Sequence, residues 1–188
     1  MKHRLFIAAN LPRETALAIG KIQADLEALK LPLRPEPQEK LHITFNFLGR
    51  IDEEKISDIN EIVSKTAASF SSPGLIPSFL DSMYNKHADS YVYLGLSGDT
   101  DVLKSIYKSL SLELSRISLP MAERYFPHIT IARFQKADPV TVKSAMDKID
   151  QYEFNPLPAF ALDNISLYES LLSQKGSYFR LIGQQLLH

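Results

Sequence analysis

The tripeptide His-Ile-Thr occurs twice, at 42–44 within LHITFNFLG and at 128–130 within PHITIARF, 86 residues apart. The chain has 5 His and 6 Thr in 188 residues. Chance placement gives roughly 0.15 His-x-Thr matches, so two with the same middle residue in similar settings need a structural cause. Both read as strands, where alternate side chains share a face. Each motif therefore turns a His and a Thr to one side and an Ile to the other. Brought together, two such strands line one cleft with two imidazoles and two hydroxyls, an arrangement suited to acid–base chemistry on a phosphate without a metal.

The rest of the chain repeats at the same offset. Residues 4–8 read as a short apolar strand, and the shifted window, 90–94, lies in SYVYLGL. Residues 13–29 carry Ile19, Ile22, Leu26 and Leu29 at helical spacing. The shifted window, 99–115, carries Leu103, Ile106, Leu110 and Leu114 in the same way. After the first motif, Gly49 is expected to end the strand and Asp52 to cap a helix running through Thr66. The shifted counterpart, Asp138, precedes Pro139 at a helix start. Residues 76–84 and 162–170 then read as strands. A last strand, 178–182, follows the turn-like Gln174-Lys175-Gly176.

Strand, helix, motif strand, helix, strand thus appears twice, in pseudo-repeats of about 1–86 and 87–188. The polar junction Asn85-Lys86-His87-Ala88-Asp89 reads as a turn, so one bilobal domain is expected over 1–188.

Composition narrows the chemistry. The chain is 45% hydrophobic and 23% charged, ordinary for a globular protein, with net charge −1 and pI about 6.5. Broad nucleic-acid coating calls for a strongly basic surface, whereas a pocket for one phosphate group needs only local donors. The absence of cysteine removes thiolate zinc sites, disulfides and a Cys nucleophile, and is compatible with a cytoplasmic location. The apolar run at Leu5–Ala9 is too short for a signal peptide, and no stretch approaches a membrane span. Walker, GxGxxG, HExxH and GxSxG signatures are missing. Two His without a clear third carboxylate ligand make a poor metal site, so no metal and no cofactor are expected.

The candidate catalytic residues are His42 and His128. Imidazole titrates near 6.5, so one ring takes a proton from water while the other gives one to a leaving oxygen. Thr44 and Thr130 are candidate phosphate donors, against a bland reading of simple strand propensity. Leu41, Ile43, Phe45, Ile129 and Ile131 alternate with them and should face the core. For Arg133 strict alternation gives the face opposite His128. It either reaches a phosphate through a twist or bulge, or makes a salt bridge. Phe47, Arg124, Tyr125 and Phe126 either grip a nucleotide or pack. His3, His87 and His188 lack patterned partners.

These residues resemble the 2H phosphoesterase superfamily, with its two H-x-[ST]-x motifs. The resemblance is closer to the RNA 2′,3′-cyclic phosphodiesterases, also called 2′-5′ RNA ligases. It is carried by RLFIAANLP, RPEPQEKLHITFNFLG, RYFPHITIARF and LYESLLSQKGSYFRL. Leu33-Arg34-Pro35 departs from it, since an aromatic often precedes that turn in relatives. The resemblance implies a duplicated, bilobal α+β fold with antiparallel sheets lining a central cleft and helices outside. It implies metal-independent hydrolysis of RNA 2′,3′-cyclic phosphate ends to a 2′-phosphomonoester, with reversible 2′-5′ ligation as a further activity. His42 would protonate the leaving 3′-oxygen, His128 would activate water, and Arg133 matches a basic residue that binds phosphate. The expected partners are RNA 3′ ends or nucleotides bearing a cyclic phosphate, and the expected state is a monomer. The alternatives are a phosphodiesterase acting on a small cyclic nucleotide or 2′-5′ oligoadenylate, and a non-catalytic nucleotide- or RNA-binding module.

Overall fold

Two strands carry the repeated motif, and they meet at the middle of the sheet. The computed structural model of the chain describes residues 1–84, 90–119, 124–173 and 176–188. The expected turns at 85–89 and at Gln174-Lys175 lie outside the described residues.

In chain order the elements are β1 (Lys2–Asn10), α1 (Arg13–Ala28), β2 (Leu33–Pro35), β3 (His42–Asp52), α2 (Ile56–Ala67), β4 (Gly74–Met83), β5 (Tyr91–Gly98), α3 (Thr100–Arg116), β6 (His128–Phe134), α4 (Pro139–Asp150), β7 (Phe160–Ala161), β8 (Asn164–Ser173) and β9 (Gly176–Leu186). The fold is α+β. Among the described residues the strands form one antiparallel sheet in the order β7-β4-β5-β6-β3-β1-β8-β9, with β2 also paired to β6. The two sheets expected around the cleft are thus joined, and the seam between β3 and β6 is the single pair Ile43↔Ile129. On one side lie β3-β1-β8-β9, on the other β6-β5-β4-β7. β4 pairs with β5, and β8 returns to pair with β1, so each side of the seam contains strands from early and late in the chain.

One face of the sheet carries the core. Ile43, Ile129, Leu5, Ile7 and Leu94 pack there against Ile19, Ile22 and Leu26 of α1, Ile59 and Val63 of α2, and Leu103, Ile106, Leu110 and Leu114 of α3. The helical spacing of these residues is what turns one apolar stripe of each helix inward. α4 begins as its sequence dictates. The Asp138 carboxylate accepts from the backbone N–H of Val140 and Thr141, both at 3.0 Å, and Pro139 takes the first helical position.

Two local expectations fail. Gly49 does not end its strand. It adopts φ of +74°, beside a register shift against Leu5 and Phe6, and β3 runs on to Asp52. A glycine can take that left-handed conformation without steric cost, so the strand bends and continues. Asp52 caps nothing with its side chain; it lies 3.8 Å from Lys2, and a short 3-10 turn, Glu53–Lys55, leads into α2.

Candidate active site

The face of the sheet opposite the helices holds both motifs. Ile43 and Ile129 are fully buried in the core, and alternation leaves His42, Thr44, His128 and Thr130 half-buried on the other face. Because the strands run antiparallel about the Ile43↔Ile129 pair, His42 comes to the Thr130 side of the seam and Thr44 to the His128 side. The four side chains thereby share one face on either side of the Ile43↔Ile129 pair, close enough for His128 to act on His42 electrostatically.

The two imidazoles are held alike. His42 Nδ1 lies 2.6 Å from the Lys40 carbonyl, and His128 Nδ1 lies 2.9 Å from the Phe126 carbonyl, each two residues upstream. A carbonyl can only accept, so Nδ1 carries the hydrogen in both rings and Nε2 is the ring nitrogen left outside that bond. Aromatic rings then fix each plane. Phe6 and Phe179 both sit 5.5 Å from His42, centroid to centroid. Tyr91, Tyr93 and Phe126 sit 5.5, 5.4 and 5.7 Å from His128. Tyr168 stacks on Phe6 at 5.3 Å, and its hydroxyl donates to Asn10 Oδ1 at 2.6 Å. Asn10 is in turn the cross-strand partner of His42.

Burial among these rings pushes both imidazoles below their ordinary value of 6.5. At His42 the bond to the Lys40 carbonyl and the negative Glu36 oppose this, while the charges of Arg133 and His128 add to it. At His128 the bond to the Phe126 carbonyl opposes it. Tyr93 is a poor proton donor: burial and the hydrogen bond to Asp81, 2.8 Å, push its phenol up to about 12.

Arg133 reaches the cleft face through a bulge. On β5, Val92 pairs with Ala132 but Tyr93 pairs with Thr130, so Ile131 is the extra residue. The parity of β6 changes there, and Arg133 comes opposite Tyr91, whose ring stacks on His128. The bulge is pinned. The Ile131 carbonyl accepts from the Glu36 N–H at 2.8 Å and from Gln23 Nε2 at 2.7 Å. The Arg133 guanidinium also donates through Nε to the Glu36 carboxylate. Arg133 thus combines a place on the cleft face with a salt bridge to Glu36. Sequence reasoning missed Glu36, which nothing in the local pattern marks. It also missed Phe6, Phe179, Tyr91 and Tyr93, although the alternation in SYVYL could have placed the two tyrosines on one face.

The other singled-out aromatics divide. Phe47 is 72% exposed on the cleft side, opposite Phe6. Tyr125 instead packs, stacked on Tyr107 at 4.5 Å. His3 is buried against Glu169, 2.7 Å away, on the helix face, away from both motifs. Among the described residues no three His, Cys, Asp or Glu side chains converge to hold a metal ion.

An antiparallel sheet with two H-x-T strands joined at its centre, their His and Thr on one face, is the arrangement of the 2H phosphoesterase class. A family model described as LigT like Phosphoesterase matches residues 10–76 and 94–178, and the chain belongs to that family. It is 28% identical to the RNA 2′,3′-cyclic phosphodiesterase of Methanocaldococcus jannaschii, over 95% of this chain and 98% of that one. It is 29% identical to the enzyme of the same name from Thermotoga maritima, over 95% and 92%. Among solved structures, a protein of Thermus thermophilus, TT0787, superposes with a TM-score of 0.78 at 20% identity, covering 98% of this chain and 97% of that one. E. coli LigT complexed with 3′-AMP gives 0.71 at 21%, covering 100% and 99%. These two establish the shared fold.

Proposed function

We propose that the chain hydrolyses the 2′,3′-cyclic phosphate end of RNA to a 2′-phosphomonoester, using His42 as acid and His128 as base. The observation that carries this reading is the matched hold on the two rings, each with Nδ1–H on a carbonyl and Nε2 left for the cleft. A phosphorus atom between them has a proton acceptor on one side and a donor on the other. Water attacks phosphorus as His128 Nε2 takes its proton. The P–O3′ bond breaks as His42 Nε2–H protonates the departing oxygen, which leaves a 3′-hydroxyl and a 2′-phosphate. Thr44 and Thr130 donate to the non-bridging oxygens as negative charge develops there. Arg133, oriented by Glu36, adds positive charge beside them. The exposed ring of Phe47 is a stacking platform for the terminal base. A 5′-hydroxyl in place of water gives 2′-5′ ligation by the same proton transfers. The names of the Methanocaldococcus and Thermotoga relatives support the substrate.

The direct test incubates the protein with EDTA and a short RNA ending in a 2′,3′-cyclic phosphate, and resolves the 2′- and 3′-phosphate products. Conversion to the 2′-phosphate is expected. A 3′-phosphate product, or EDTA inhibition reversed by a divalent metal, would contradict the scheme. Turnover of a cyclic mononucleotide but not of RNA would move the reading to a small-nucleotide substrate.

The same geometry sets the pH dependence. The scheme needs one ring protonated and the other neutral. With both titrating below 6.5, the free protein at neutral pH is mostly doubly neutral, so the proton on the acid is scarce. kcat/KM should rise as the pH falls below neutrality, peak on the acid side of 6.5, and drop again once both rings protonate. Rates measured from about pH 4.5 to 9 check this, and a profile that climbs toward alkaline pH counts against two-imidazole chemistry.

A further inference from the structure

Beyond Phe47 the cleft face of β1 and β3 carries two arginines that the chemistry at the seam leaves unused. Arg4 and Arg50 are direct cross-strand partners, both exposed, while the alternating His3, Leu5 and Ile51 are buried on the helix face. Arg4 therefore shares the face of Phe6, and Arg50 that of Phe47. Arg4 lies two residues from Phe6, about 7 Å along the strand. Like charges directly opposite each other destabilise an antiparallel pair. The next pair outward on this face, Lys2 and Asp52, is neutralised at 3.8 Å. Arg4 and Arg50 make no ion pair or side-chain hydrogen bond among the described residues.

This face is locally positive in a chain whose net charge is −1, because Lys40 also stands on it, 5.7 Å over the Phe179 ring. The other side of the cleft is mixed, with Arg133 opposite Arg34 of β2. There the cross-strand partner of Tyr93 is Asp81, a carboxylate. A polyanion leaving the seam is attracted along β1 and β3.

A 2′,3′-cyclic phosphate closes the 3′ end of its strand, so any further nucleotides extend only in the 5′ direction. We propose that Arg4 and Arg50 form a subsite for the upstream backbone phosphates of an RNA strand, so that oligonucleotide ends are preferred over single nucleotides. This rests on the reading that the seam takes the cyclic phosphate and Phe47 the terminal base. The two unpaired cations lie in line beyond them.

Each phosphate neutralised on a single strand adds about 0.7 to the log–log salt slope. The pair should thus account for about sevenfold in affinity between about 50 and 200 mM salt. The test measures binding of a fluorescent oligoribonucleotide ending in a 3′-phosphate at both salt concentrations. It also measures kcat/KM for a cyclic-phosphate oligonucleotide and a cyclic mononucleotide. The double variant Arg4→Gln, Arg50→Gln should bind the oligonucleotide more weakly at low salt and lose that sevenfold dependence. Its kcat/KM on the mononucleotide should not change. Arg50→Glu, which replaces a like-charge pair by an opposite one without burying anything, should do the same and guards against a folding artefact. Lys143→Gln, on α4 at the other face, should leave the slope intact. Equal slopes in wild type and both cleft variants, an equal loss on the mononucleotide, or an equal effect of Lys143→Gln would each overturn the subsite. If no cyclic phosphate is turned over, the reaction falls, and the binding slopes still decide the arginines.

Discussion

His42→Ala and His128→Ala should each lower turnover of a cyclic-phosphate RNA by at least about 10²-fold, because each removes one of the two proton transfers. Neither change should unfold the protein. Both rings sit half-buried on the cleft face, and the core behind them rests on Ile43 and Ile129. Circular dichroism and thermal unfolding close to wild type would confirm that the loss is chemical. The variants also separate the two roles. An aryl phosphodiester with a p-nitrophenolate leaving group needs no protonation as it departs, so the variant lacking the acid recovers much of its rate on that substrate. His42→Ala should recover and His128→Ala should not. The reverse result would exchange the roles while keeping the mechanism. Near-normal turnover by either variant on RNA would remove the two-imidazole scheme altogether.

A comparable loss should follow from the threonines. Valine keeps the β-branched shape that suits a strand and removes only the hydroxyl. Taking one preorganised donor away from developing charge typically costs about 10²–10³ in kcat. Thr44→Val and Thr130→Val should therefore each lower kcat by about 10²-fold, with KM little altered, since the donors matter most in the transition state. Steady-state kinetics on the cyclic-phosphate RNA measure both constants. A rise in KM at constant kcat would make the hydroxyls ground-state ligands. No change in either would leave the threonines as strand formers, the bland reading of their propensity.

What was legible along the chain was legible through period. The two-residue alternation in the motifs put His and Thr together and sent Ile43 and Ile129 to the core, where both are fully buried. The helical spacing of Leu103, Ile106, Leu110 and Leu114 announced α3, and Asp138-Pro139 announced the start of α4. These features are local, and a few neighbouring residues suffice to produce them. Arg133 shows where period stops helping. Alternation put it behind His128, and one extra residue at Ile131 turns it to the front. The bulge is held by Gln23 and Glu36, which lie 108 and 95 residues away in sequence. Gly49 misled for a similar reason: a glycine reads as a stop, whereas pairing with β1 makes it a bend.

From residue order alone come the candidate acid–base residues, the strands and helices that carry them, and the side of each element that turns inward. Tertiary structure decided how the motifs face each other across one Ile–Ile pair and which aromatic rings enclose each imidazole. It also brought Glu36 to Arg133 and set Arg4 beside Arg50. Alternation along one strand follows from its own backbone geometry, but the side chains across from it are chosen by strand register, which long-range pairing and core packing set.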